Sequence, residues 1–195
     1  TMRGTRALSS LFAICLMLFS AIMIQAQLGR IEMHFHIFAA LALVIIYRDW
    51  LPVVVGAATI ALHHVAFTAL ELAGATLGEM PIMIFNYDCN WSITFLHAAF
   101  VVFESAILVF FAIQMGAEQR QSFQIIDIIR TFDADNDLTS RLDGADKSVT
   151  ASSFNNMLDR FVELIARLKE LSGQLRSNAD DMTSVSDTTT QIANE

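Results

Sequence analysis

The chain has 195 residues, 54% of them hydrophobic and 16% charged, with a formal net charge of -8. A soluble domain carries about 45–50% and about 25%, so the composition argues against a cytosolic enzyme; without a Lys or Arg cluster it also offers no phosphate-binding patch for a nucleic acid. The imbalance is local, with four arginines and six acids in residues 1–115 against eight basic and fourteen acidic residues in 116–195.

Residues 8–28 form an almost uncharged run able to cross about 30 Å of hydrocarbon at about 1.5 Å per residue, and longer than the apolar core of a signal peptide. Residues 33–47 give a shorter second span, extended by snorkelling of Arg30 and Arg48. A third, 51–70, is opened by Asp49 as N-cap and by Pro52 in the first turn, where a missing N–H costs nothing. Residues 91–115 are the fourth. Alternating spans put Arg3, Arg6, Arg48 and Arg120 on one side and Arg30 alone on the other, so both termini are expected in the cytoplasm. The 73–90 loop, with Glu79 and Asp88 and no basic residue, then faces outward. Tyr47, Trp50 and Trp91 read as interfacial anchors. Cys15 and Cys89 fall toward opposite faces, too far apart for a disulfide.

All five histidines lie in the apolar half: His34 and His36 on the second span, His63 and His64 on the third, His97 on the fourth. Ionisable groups inside a membrane are costly and mark function, and these five sit roughly 5 to 15 Å below the outer helix ends. Residues seven apart share a helix face, which pairs His64 with Glu71 and His97 with Glu104, carboxylates able to orient metal-binding imidazoles. His34 and His36 are about 200° apart, so a regular helix presents one of them to a common centre. The expected ligands are His36, His64 and His97, with His34 and His63 as further candidates. Met80 and Met83, with Met23, Met33 and Cys89, bring soft sulfur toward the outer face and tilt the expected metal to copper. A b-type haem between two histidines is the alternative, with Ala39, Ala40, Ala98 and Ala99 leaving room for a porphyrin. A metal-free pH sensor and plain interhelical hydrogen bonding stay open. No nucleotide loop, nucleophile triad or zinc-protease spacing occurs, and no enzyme activity is expected.

Past residue 115 continuous apolarity gives way to heptads. Ile125, Ile129 and Phe132 make a short seam. Phe154, Met157, Phe161, Leu164, Leu168, Leu171 and Leu175 alternate spacings of three and four, continued by Met182, Val185 and Ile192. Such a seam needs a partner helix, most simply a second copy of the chain in a homodimer.

Between the seams, Asn136-Asp137-Leu138-Thr139-Ser140-Arg141-Leu142 and then Phe154-Asn155-Asn156-Met157-Leu158 resemble the HAMP linker of bacterial transmembrane receptors. With the Ser, Thr and Ala-rich heptads from Leu171 onward, residues 118–195 resemble the start of a methyl-accepting chemotaxis receptor. That resemblance implies a multi-pass protein of the bacterial inner membrane, in contact with lipid. It also implies that a cytoplasmic histidine kinase and a coupling protein dock on a hairpin beyond these residues. The expectation is an all-α membrane protein: a four-helix transmembrane sensor bundle at 1–117, a HAMP-like linker at 118–170 and the start of a dimeric signalling coiled coil at 171–195. Small shifts of the fourth span would bias two packings of the linker. A membrane electron-transfer protein using the same histidines is the competing class, and it has no use for long cytoplasmic heptads. A receptor for a small periplasmic molecule would need the 73–90 loop to form a pocket.

Overall fold

The computed structural model describes residues 5–146 and 148–194, so Arg3, used above for orientation, lies outside the described residues. The chain divides into two compact units, Thr1–Arg120 and Gln121–Glu195.

In the first unit, helix α1 (Arg6–Ala26) opens under Thr5, whose hydroxyl accepts from the Leu8 N–H. Its buried stripe is Ser9, Ala13, Met17, Ser20 and Ile24, spaced by three and four as one helix face requires. Helix α2 (Ile31–Val44) continues into a 3-10 turn at Ile45–Tyr47; together they reach about 27 Å. Helix α3 (Trp50–Leu72) is capped by Asp49, which accepts from the Leu51 N–H at 3.1 Å. A short antiparallel ribbon, β1 (Thr76–Leu77) with β2 (Met80–Pro81), precedes α4 (Trp91–Asp135). Among the described residues three helices, α1, α3 and α4, are long and apolar enough to cross a membrane, and Ile31–Tyr47 is a shorter apolar helix. The second expected run, 33–47, is thus helical over Ile31–Tyr47 and ends where expected, at Arg48, whose φ of 51° reverses the chain before Asp49. Helix α4 carries the fourth apolar run into the Ile125–Ile129–Phe132 seam without a break.

The core of this unit joins Met17, Ile24, Ile37, Leu41, Ile60 and Val101 to two residues of the 73–90 loop, Ile84 and Phe85. These loop side chains are 0% and 1% exposed, as buried as any helix residue. Gly29 makes the insertion possible. Its φ of +72° is left-handed, and a Cβ there would stand 2.7 Å from the Phe85 nitrogen. Large apolar side chains such as Phe35, Leu62, Phe95 and Phe103 cover the outside, a surface suited to lipid rather than water.

In the second unit α4 ends at Asn136, which takes a φ of 53° and donates its N–H to the Phe132 carbonyl, a left-handed stop that Asn tolerates. Helix α5 (Val149–Ala193) opens at Ser148, whose hydroxyl accepts from the Ala151 N–H and from Gln121 Nε2. The end of α4 and the start of α5 run parallel. Gln121 meets Ser148, Ile128 clusters with Ala151 and Leu158, and Phe132 and Phe161 line one groove. The connector is clamped by Asn155: the Leu142 N–H donates to its Oδ1 at 2.8 Å, and the Leu142 carbonyl accepts from its Nδ2 at 3.0 Å. Arg141 pairs with Asp159 at 2.6 Å. In Asn155→Ala both backbone groups of buried Leu142 lose their partner, at about 1–3 kcal/mol for each group left unpaired. Hydrogen exchange over residues 138–145 of the full chain should therefore accelerate at least tenfold, with exchange in α3 unchanged.

Candidate functional site

Four of the five histidines come together, and they are not the set that helical phase favoured. The His34 ring lies 5.4 Å from those of His64 and His97, and His63 lies 5.4 Å from His64. His34 and His64 are buried, at 2% and 7% exposure. His36 points the other way. Its Nδ1 is 2.7 Å from the Ser20 hydroxyl of α1 and its ring packs edge-on against Phe19. The structure gathers His34, His64 and His97, with His63 alongside, and leaves His36 of the expected trio outside that cluster. The reason is that α2 presents to α3 and α4 the face bearing His34, Ile37 and Leu41, and turns His36 toward α1.

Each of the three central rings is locked by its own helix. Nδ1 of His34, His64 and His97 lies 3.2, 3.0 and 3.1 Å from the carbonyl oxygens of Arg30, Ile60 and Ile93. A carbonyl oxygen only accepts, so Nδ1 carries the proton and the lone pair of each neutral ring sits on Nε2. Among the described residues, the buried Nε2 of His34 and both ring nitrogens of His63 have no partner. An unpaired buried polar atom costs about 1–3 kcal/mol, and such atoms in a native fold call for an explanation.

Phe85 closes the cluster from the loop side, stacked on His34 at 5.4 Å and 16° and lying 4.8 Å from His97. The loop is held to the helices by polar contacts. Ile84 N–H donates to Glu71 at 2.6 Å, Met83 N–H to Gln25 Oε1, Gln25 Nε2 to the Pro81 carbonyl, and Asn86 N–H to the Gly29 carbonyl. Beneath it the buried hydroxyls of Thr68 and Thr94 join α3 to α4 at 2.8 Å. A cavity of about 80 Å³ adjoins the rings, walled by His34, His64 and His97 with Ile37, Phe38, Ile60 and Thr94.

The other candidate residues do different work. Glu71 holds the Ile84 backbone and the Cys89 thiol; among the described residues Glu104 Oε2 has no partner, so neither carboxylate orients an imidazole as expected. Met80 offers its sulfur to Gln25 Nε2 at 3.5 Å, Met83 is tied to the same Gln25 through its backbone, and no sulfur is among the cavity's wall residues. The expected carboxylate and thioether support of the histidines is thus not what the structure displays: Glu71 serves the loop backbone, the Met80 sulfur and the Met83 N–H meet Gln25, and Glu104 Oε2 stands unpaired among the described residues. Gln25, Gly29, Phe85 and Ser20 were missed by the sequence reading. A large apolar residue inside a polar loop, facing a glycine turn, was the signal available.

Burial, with Glu71 and Asp88 beside it, pushes the Cys89 thiol up to about 11. The thiolate is the nucleophile, so an impermeant maleimide should react slowly with Cys89 at neutral pH, speeding about tenfold per pH unit toward pH 10. Glu71→Gln should speed it at fixed pH. A cysteine replacing exposed Glu79, in a Cys89→Ser background, tests the loop's side cleanly. Labelling of intact cells places 73–90 outside, and labelling only after permeabilisation reverses the orientation.

No family model and no solved structure matches the chain. One relative is transducer protein Htr8 of Halobacterium salinarum, 35% identical over 65 residues. The aligned stretch is 33% of this chain and 10% of that transducer. The chain is thus an all-helical membrane protein with a transducer-like segment, and the similarity points to signalling in general.

Proposed function

We propose that this chain is the membrane input module of a chemotaxis-type receptor, and that it senses through a transition-metal ion held by His34, His64 and His97 with His63 in reserve. The observation that carries the reading is the shared state of the three central rings: Nδ1–H tied to a backbone carbonyl, lone pair left on Nε2. A metal bound through Nε2 takes that tautomer, and metal-ligating histidines almost always donate the other ring N–H to such an outer acceptor. Rings on one ion at about 2.0–2.1 Å have centres about 5 Å apart, against 5.4 Å for His34 to His64 and to His97. Among the described residues no three His, Cys, Asp or Glu side chains already stand at ligand geometry, so binding would draw the ring-bearing helices closer while each Nδ1–H stays on its carbonyl. An all-imidazole set removes the sulfur argument for copper(I) and leaves copper(II) favoured by its place in the affinity order, with zinc behind it.

The cavity of about 80 Å³ is small beside the roughly 300–1,000 Å³ of cofactor pockets, which disfavours a haem inside the unit. The bound ion would supply a charged, redox- or occupancy-sensitive centre that α2, α3 and α4 share. Helix α4 carries that strain into a HAMP-like pair of parallel helices and a dimeric coil. The histidine kinase and coupling protein belong to the part of such receptors beyond these residues. Metal analysis and an absorption spectrum of the purified full chain test the reading. Stoichiometric copper or zinc without a Soret band supports it, a Soret band replaces it with haem, and neither metal nor haem overturns it.

A further inference from the structure

We infer that the end of the membrane unit opposite the histidines binds a phosphate group, and that its source is the headgroup of an anionic phospholipid. Three arginines from separate segments converge there on one cavity of about 340 Å³: Arg6 at the start of α1, Arg48 in the turn before α3, and Arg120 on α4. Asp49 is the acid on the wall, and it is already in use. One of its oxygens pairs with Arg6 Nε at 2.7 Å and the other caps Leu51. Arg48 and Arg120 have no acceptor among the described residues, so the cavity keeps an excess of positive charge whose mutual repulsion an anion would relieve.

The arrangement is built rather than incidental to long side chains. Arg48 is fixed in a left-handed conformation, φ 51°, which a residue with a Cβ adopts only at a steric cost. Its carbonyl lies against Gly116, where a Cβ would come within 2.7 Å. Arg120 is one turn further along the same face of α4, and its Nη1 folds back to 3.6 Å from that same point. A glycine contact therefore brings the two unpaired guanidinium-bearing residues together. Guanidinium forks match phosphate oxygens. All three arginines stand at the ends of apolar runs, beside Trp50, at the depth where lipid phosphates lie.

Native mass spectrometry of the full chain, released from nanodiscs of phosphatidylcholine with or without phosphatidylglycerol, tests this. Wild type should retain phosphatidylglycerol in preference to phosphatidylcholine, and Arg48→Gln/Arg120→Gln should lose about tenfold or more of that retention. Asp49→Asn keeps an N-cap while releasing Arg6, so it should retain more phosphatidylglycerol than wild type, an outcome misfolding does not produce. Titration with inorganic phosphate separates the sources. Tight binding of phosphate without lipid retention overturns the lipid assignment. Equal retention of both lipids, or retention unchanged in the double variant, overturns the site.

Discussion

His34→Ala should strip the membrane unit of its metal, whereas His36→Ala should leave metal content at the wild-type level. The two residues are neighbours on α2 with the same chemistry, so a general effect of losing a membrane histidine would move both alike. His34 is the ring that stands within 5.4 Å of both His64 and His97; without it the remaining rings have no common neighbour on α2. His36 is engaged with Ser20, and its loss removes one hydrogen bond, about 1 kcal/mol of stability. His64→Ala and His97→Ala should behave like His34→Ala, because losses within one coordination sphere do not add. Met80→Leu and Met83→Leu should retain metal, since neither side chain walls the histidine cavity. Elemental analysis of purified variants reads all of this, and electron paramagnetic resonance adds the nitrogen count if the ion is copper(II). Retention of metal by His34→Ala, His64→Ala and His97→Ala together would sink the metal reading.

The helices were legible in the sequence because they follow from composition: long uncharged runs, a capping aspartate before Trp50 and heptads after residue 115. The end of the second run at Tyr47 was legible as well; the left-handed turn of Arg48 that closes it was not, because a backbone angle leaves no mark in a hydropathy pattern. The histidine layer was legible as depth, since rise per residue is fixed, but not as direction. Choosing between His34 and His36 requires knowing which helices lie on either side of α2. That in turn is decided by Ser20 of α1 and by the Phe85 plug, contacts made over long sequence separations. Glu71 shows the same limit. Its phase with His64 was read correctly, but the partner it takes is a backbone N–H of an irregular loop, which has no periodicity to reveal it.

Asp substitutions at Leu164 and Leu168 should convert the chain from dimer to monomer. Along α5 the side chains of Phe161, Leu164, Leu168, Leu171 and Leu175 are 50 to 62% exposed, and they form one stripe on a helix of 45 residues. A single helix of that length, polar on its other faces, cannot bury the stripe against itself. Fully burying such a side chain is worth about 1.5–3 kcal/mol, so covering these half-exposed ones is worth roughly half of that each, a gain supplied by both chains and set against the cost of association. Two aspartates per chain would place four charges at the seam of a dimer, each without a counter-ion. Disulfide cross-linking through a cysteine at Leu171, in membranes and in a background with Cys15 and Cys89 replaced, should therefore be efficient in the parent chain and absent in Leu164→Asp/Leu168→Asp. Glu163→Lys and Lys169→Glu, which change charge beside the stripe without entering it, should leave cross-linking in place. No cross-link at Leu171 in the parent chain would mean that the stripe meets something other than its own copy in register, and the homodimeric reading of the coil would fall.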